Sequence, residues 1–163
     1  MAWWRRVRGR AIDRGAAAVE FALVVLPLLL LVMGILDYGR FFFDSVSLRQ
    51  GAREAARQAV VQMYGASCTT GTVGAKIACS AKAASDITMG APRVYIPPIT
   101  STSGTQGKQL LVCMKSQEAG TGFVPLPNSG IIRTKTYMSI EVAPGLIVDE
   151  YKDDPASDWT WCS

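Results

Sequence analysis

The apolar residues of this chain are unevenly distributed. Residues 16–36 form a run of 21 in which only Glu20, Pro27 and Gly34 are not plainly apolar. At ~1.5 Å of rise per helical residue the run is roughly 30 Å long, the thickness of a bilayer's hydrocarbon core. A cleavable secretory signal has a shorter apolar region, ~7–15 residues, closed by a small-residue site. This run is longer and continues into Asp37-Tyr38-Gly39-Arg40-Phe41. The pattern therefore predicts a helix that spans and stays in the membrane. Pro27 lacks the N–H that would bond the Leu23 carbonyl, which predicts a kink inside the span.

The helical period does not stop at the end of the run. Leu48, Ala52, Ala55 with Ala56, Ala59 and Met63 recur at spacings of three and four, which leaves Arg49, Arg53, Glu54 and Arg57 on other faces. With no proline between Val32 and Tyr64, residues 16–63 read as one helix of 48 residues, on the order of 70 Å long. Small side chains dominate its outer stripe and suit close packing. In the simpler reading the stripe covers the protein's own outer domain; the other reading gives it a neighbouring subunit.

Residues 64–74 turn to Gly, Ser, Thr and Cys and read as a loop; residues 75–85 are alanine-rich and predict a short helix. Strand signals follow. Residues 93–96, RVYI, are stopped by Pro97-Pro98, residues 101–107 read as a turn, and residues 108–115 read as the next strand. Over residues 131–142, Ile132, Thr134, Thr136, Met138, Ile140 and Val142 alternate with Arg133, Lys135, Tyr137, Ser139 and Glu141. That alternation is a half-buried antiparallel strand with one face on a core. Residues 145–148 suggest a last short strand before an acidic, aromatic tail. The expected fold class is α+β: a long N-terminal transmembrane helix continuing outside the membrane, then a small antiparallel sheet domain. Its divisions are a basic leader at 1–15, the span at 16–36, the outer helix at 37–64 and the outer α+β domain at 65–163.

Charge sets the orientation. The formal charge is +4, yet Arg5, Arg6, Arg8, Arg10 and Arg14 against Asp13 already supply it; from Ala16 onward twelve basic side chains balance twelve acidic ones. A neutral body offers no basic face for phosphates, so nucleic acid is not an expected partner. A basic tract before an apolar run keeps the N-terminus cytoplasmic and places everything after residue 36 outside. All four cysteines, Cys68, Cys79, Cys113 and Cys162, lie on that outer side, where disulfides persist. Four cysteines permit three pairings. The preferred one joins Cys68 to Cys79, closing a short loop, and Cys113 to Cys162, tying down the chain end. Without histidine or a C-x-x-C, neither a zinc site nor a histidine-based nucleophile is expected, and no phosphate-binding glycine loop is present. The tail acids Asp149, Glu150, Asp153, Asp154 and Asp158 lack the oxygen-ligand spacing of a calcium loop and read as a solvated tail, and Trp159 and Trp161 read as packed where the disulfide holds it rather than as an interaction patch. No catalytic residue and no cofactor is expected.

Glu20 is the residue that a plain anchor does not need. A carboxylate well inside a bilayer costs roughly 3 kcal/mol on insertion scales and calls for a partner. Ala16 lies one turn earlier on the same face. A cut between Gly15 and Ala16 would create an α-amine, with a reference pKa near 8, one turn from Glu20 or beside the Glu20 of another subunit. The alternative is that Glu20 sits near the cytoplasmic interface and reaches back toward Arg14.

Residues 14–57 contain a basic leader ending in Gly15, then Ala16, Glu20-Phe21, Leu26-Pro27-Leu28-Leu29, Gly34, Tyr38-Gly39-Arg40 and a helix from Gly51 to Arg57. This ordered set resembles the N-terminal region of the TadE/TadG-like proteins of tight-adherence (Flp-type) pilus systems. The resemblance covers about a quarter of the chain. It implies a minor pseudopilin of the bacterial inner membrane, cut by a prepilin peptidase after Gly15, with Glu20 and Phe21 in the processing and assembly signal. The implied partners are the membrane, the peptidase, other pilins and pseudopilins, and the pilus assembly platform. The contrasting reading is a permanently anchored outer binding module with no pilus role; an anchored enzyme is a distant third.

Overall fold

The computed structural model describes residues 5–99, 107–140 and 146–163, with side chains from Gly15 onward. The leader's arginine side chains, most of the turn expected at 101–107 and the strand end expected at 141–142 lie outside the described residues.

Helix α1, Arg5–Val61, is a single helix of 57 residues that runs through Pro27, about 85 Å long. It begins ahead of the expected residue 16 and stops two residues before the expected 63. The stop is a backbone cap: Gln62 takes a left-handed conformation, φ 55°, while its N–H bonds the Ala59 carbonyl and the Met63 N–H bonds the Gln58 carbonyl. This pair of bonds satisfies the last carbonyls and reverses the chain. Met63, expected on the buried stripe, is carried past the helix end and stands 73% exposed.

Helix α2, Val73–Ala83, starts two residues ahead of the expected 75, where the Thr72 side chain accepts the Ala75 N–H at 3.3 Å and caps the first turn. Four strands follow: β1 Arg93–Ile96, β2 Gln109–Gln117, β3 Ile131–Ser139 and β4 Tyr151–Lys152. They form one antiparallel sheet in the order β3-β2-β1-β4. Two expectations need correcting here. Of the strand expected at 145–148, Gly145 lies outside the described residues, and among the rest only Val148 pairs, in an isolated bridge to Ile99. The pairing strand β4 lies instead in what reads as tail, because two residues carry too little pattern to be seen.

The sheet's inner face packs on both helices. Val94, Ile96, Leu110, Val112, Met114 and Ile132 meet Ile77, Ala78 and Ala81 of α2 and the α1 stripe of Leu48, Ala52, Ala55, Ala56 and Ala59, every one buried. The stripe therefore covers the chain's own domain, as the simpler reading holds. Alternation along β3 is as expected: Ile132, Thr134 and the following Ile140 are buried, while Arg133, Lys135 and Tyr137 are exposed. On the outer face, Cys113, Trp159 and Cys162 form a second cluster with Tyr95, Leu111 and Trp161.

Both preferred disulfides are present. Cys68–Cys79 joins the loop after α1 to α2, and Cys113–Cys162 joins β2 to the chain end, with Cα separations of 5.6 and 6.0 Å. By chain entropy the loops they close are worth about 3 and about 4 kcal/mol. The tail acids are not simply solvated. Asp153 takes the Lys82 ammonium at 2.7 Å and the Val94 N–H at 2.9 Å, and Asp154 pairs with Arg93 at 2.9 Å. These carboxylates tie the tail to α2 and β1, so their charge is structural.

Gly51 sets the spacing of the two helices. A Cβ there would sit 2.7 Å from the Ala81 carbonyl oxygen and 2.8 Å from Cβ of Ser85. Gly51→Ala must push α2 away and should cost about 1–3 kcal/mol. Urea unfolding of the full chain in detergent, followed by near-UV circular dichroism, checks this; an unchanged midpoint would show that α2 moves freely.

Candidate functional site: the amino-terminal helix and its junction with the outer domain

Among the described side chains, none from Gly15 to Met33 of α1 is buried. Gly15, Ala16 and Glu20 are exposed, and so are Val19, Phe21, Leu23 and Val24 at 64–71%. The most apolar 18-residue window of this helix has mean hydropathy 2.7 and nothing in it is buried. An apolar helix with a bare circumference fits a single-pass membrane protein. Helical continuity brings Gly15, Ala16, Glu20 and Phe21 together on one exposed stretch. Among the described side chains, none pairs with Glu20.

Cover begins near the end of the apolar run. A Cβ placed on Gly34 would lie 3.5 Å from Val124. Three residues on, Asp37 is buried and accepts the Thr121 hydroxyl at 2.6 Å and its N–H at 3.3 Å, while the Tyr38 hydroxyl donates to the Pro125 carbonyl at 3.1 Å. Two turns further, Asp44 is fully buried and accepts the Thr88 N–H and hydroxyl, both at 3.0 Å, and the Met89 N–H at 3.3 Å. Ser47 accepts the Asp86 N–H at 2.7 Å. Two loops, one after α2 and one between β2 and β3, are thus fastened to α1 by short side chains accepting bonds from otherwise orphaned donors. Neutral bonds such as those of Ser47 and Tyr38 are worth ~0.5–1.5 kcal/mol each, and bonds to a charged group ~1.5–3 kcal/mol.

Glu118 completes the junction. Its carboxylate accepts the Ser116 hydroxyl at 2.9 Å, yet Oε2 is buried with no hydrogen-bond partner. Burial, and behind it the neighbouring Asp44 carboxylate, push the Glu118 carboxyl above its ordinary range. Gly90 is required beside it, because a Cβ there would strike the Ser116 hydroxyl and the Glu118 carboxylate.

Sequence reasoning misses this junction, although a signal exists. Asp37, Phe41 and Asp44 extend the stripe of Leu48, Ala52, Ala55 and Ala59 downward at the same spacings of three and four. A search for apolar periodicity passes over aspartates, and their partners lie 44 to 84 residues away.

Above the junction the outer surface is cationic and aromatic. Arg49 and Arg53 share a groove with Arg133, Lys135 and Tyr137 along β3. On the tail side, Lys115 stands 4.6 Å from the centre of the Trp159 ring and Arg133 stands 5.7 Å from that of Trp161. Burial under the tail pushes the Lys115 ammonium below its ordinary value. Among the described residues no group of three or more Cys, Asp or Glu side chains is placed to hold a metal ion.

A bare apolar helix rooted in a small disulfide-stapled sheet domain fits the class of single-pass membrane proteins with a small head. Residues 15–57, about a quarter of the chain, match the model of the TadE-like protein family. No curated protein and no solved structure matches the chain. The matched segment covers the bare helix, the two junction aspartates and most of the alanine stripe, and ends before the sheet domain.

The raised Glu118 carboxyl has a defined effect on stability. Its stabilising contribution is complete below the unfolded-state value of about 4.3 and is lost as pH rises through the raised native value. At neutral pH, well above the unfolded-state value, burying this half-satisfied carboxyl is therefore a cost. Glu118→Gln should improve stability relative to wild type more at pH 7 than at pH 4. Urea titrations of both proteins at the two pH values measure the difference, and an equal offset at both would contradict the shift.

Proposed function

We propose that the protein is a TadE-like minor pseudopilin that takes part in assembling a tight-adherence pilus. It sits in the inner membrane with its N-terminus cytoplasmic and its sheet domain outside, until the pilus assembly platform extracts it together with other pilins. The observation that carries this reading is the family match, which starts at Gly15 and continues through the span into the outer helix. The role is structural rather than catalytic.

The physical chemistry of α1 supports the details. A prepilin peptidase would cut between Gly15 and Ala16, where the helix is exposed and unhindered. Glycine in a helix interior is ~1 kcal/mol less favourable than alanine, so local unwinding is easiest there. The cut leaves a mature chain that starts one turn before Glu20. Glu20 would then pair with its own α-amine or a neighbour's, and pairing with a neighbour's offsets its burial in lipid only when helices stack in register. The bare apolar surface of α1 first faces lipid and then the helices of neighbouring subunits.

Intact mass or N-terminal sequencing of protein from its native membrane should find Ala16 as the first residue. A chain still beginning at Met1 or Ala2, with the peptidase present, would sink the processing step and favour a permanently anchored module. Glu20→Ala should reduce surface pili, counted by electron microscopy, while membrane insertion and both disulfides persist. Unchanged piliation would leave Glu20 with no part in subunit register.

A further inference from the structure

The loop from β2 to β3 is an unusual hairpin connection. The strands pair to their ends, Gln117 opposite Ile131, so residues 118–130 project as one long excursion. The direction of that excursion follows from the packing. Arg133 of β3 lines a groove with Arg49 of α1, and Met138 lines another with Arg57, so β3 climbs the helix away from the membrane and β2 descends toward it. The excursion therefore points at the bilayer.

Its contacts fix how far it reaches. Thr121 is bonded to Asp37, the Pro125 carbonyl to Tyr38, and Val124 lies against Gly34. Gly34 is two residues, about 3 Å, inside the end of the apolar run. A loop held at that level lies beside lipid. The chain there is suited to it: from Ala119 through Ile132 there is no charged residue. Phe123, beside Val124, is 69% exposed. Tyr38 and Phe42, with ring centres 6.4 Å apart on α1, place further aromatic surface near the same boundary.

We propose that residues 119–126 form a membrane-seated loop, in which Phe123 and Val124 enter the headgroup and acyl boundary of the outer leaflet and fix the depth of the outer domain. The occupant of this apolar surface is lipid, because the surface is continuous with the bare span of α1. The seat is shallow. Irregular backbone cannot be left unpaired in the hydrocarbon core, whereas the boundary layer still supplies water to the loop's peptide groups. Asp37 is compatible with that depth because Thr121 caps it and the loop buries it. The loop thus serves as a second contact with the bilayer, set beside the helix, and two contacts restrict tilt where one does not.

The proposal rests on α1 spanning the membrane, and the test separates the two. All four native cysteines are paired, so an introduced thiol is the one that reacts. Full-length Phe123→Cys, Leu30→Cys and Ile147→Cys are each labelled with an NBD fluorophore. They are reconstituted in phosphatidylethanolamine and phosphatidylglycerol vesicles carrying doxyl lipid labelled near the headgroup. Leu30 reports the span, and Ile147, exposed at the membrane-distal end beside the Ile99–Val148 bridge, reports water. Quenching at 123 should exceed that at 147 several-fold, with blue-shifted emission. Quenching at 30 alone overturns the seated loop and leaves the span standing; quenching at neither overturns both. Blue-shifted emission at 123 without lipid quenching would mean that protein covers the loop, which also overturns the proposal.

Discussion

The structure depends on one helix serving two solvents with an unbroken backbone. Along the apolar run α1 needs no internal partner, since an apolar circumference is suited to lipid and the helix pairs its own peptide groups, Pro27 and the Leu23 carbonyl excepted. In its second half the same helix becomes the central element of a small core, and there it must offer one narrow face. Leu48, Ala52, Ala55, Ala56 and Ala59 make that face almost flat, which lets the sheet and α2 approach closely enough for Gly51 to touch the α2 backbone. Larger side chains on this stripe would move the sheet outward, and the carboxylate caps below it would lose their donors.

Those caps form the boundary between the two regimes. A helix leaving a bilayer passes from a medium where an unpaired polar group is costly to one where loops must be held in place. Asp37, Asp44 and Ser47 meet both demands by being buried and each accepting from a backbone N–H of a loop that would otherwise leave it unpaired. Glu118 is the exception, with one oxygen unsatisfied, and its burial beside Asp44 raises its protonation range. The arrangement also orients the head. Once both loops are fastened to one side of α1, the sheet cannot rotate about the helix, and its cationic edge keeps a fixed bearing relative to the span.

The far side of the sheet is closed by a different device. The tail returns across β1 and β2, where Cys162 is bonded to Cys113 and the Trp159 and Trp161 rings lie beneath Lys115 and Arg133. A domain this small buries too little apolar surface on one face alone, and the tail supplies a second cluster. Asp153 and Asp154 hold it in line with β1, which accounts for acids that look merely solvating in the sequence.

What the sequence determined by itself was what repeats locally: the apolar run, the alanine stripe, the alternation along β3, the arginine asymmetry and the cysteines that could sensibly pair. Each is a periodicity or a composition, and each follows from the geometry of one element. The ordered set from Gly15 to Arg57 belongs here too, because its meaning lies in spacing along one helix. Only the tertiary structure decided the partners of Asp37 and Asp44, the two-residue strand β4, the structural use of the tail acids, and the descent of the β2–β3 loop to the level of Gly34. These depend on which distant segments share a face of α1. Side-chain pattern along the chain carries no record of that choice, since the pairing energy arises between residues that only packing brings together.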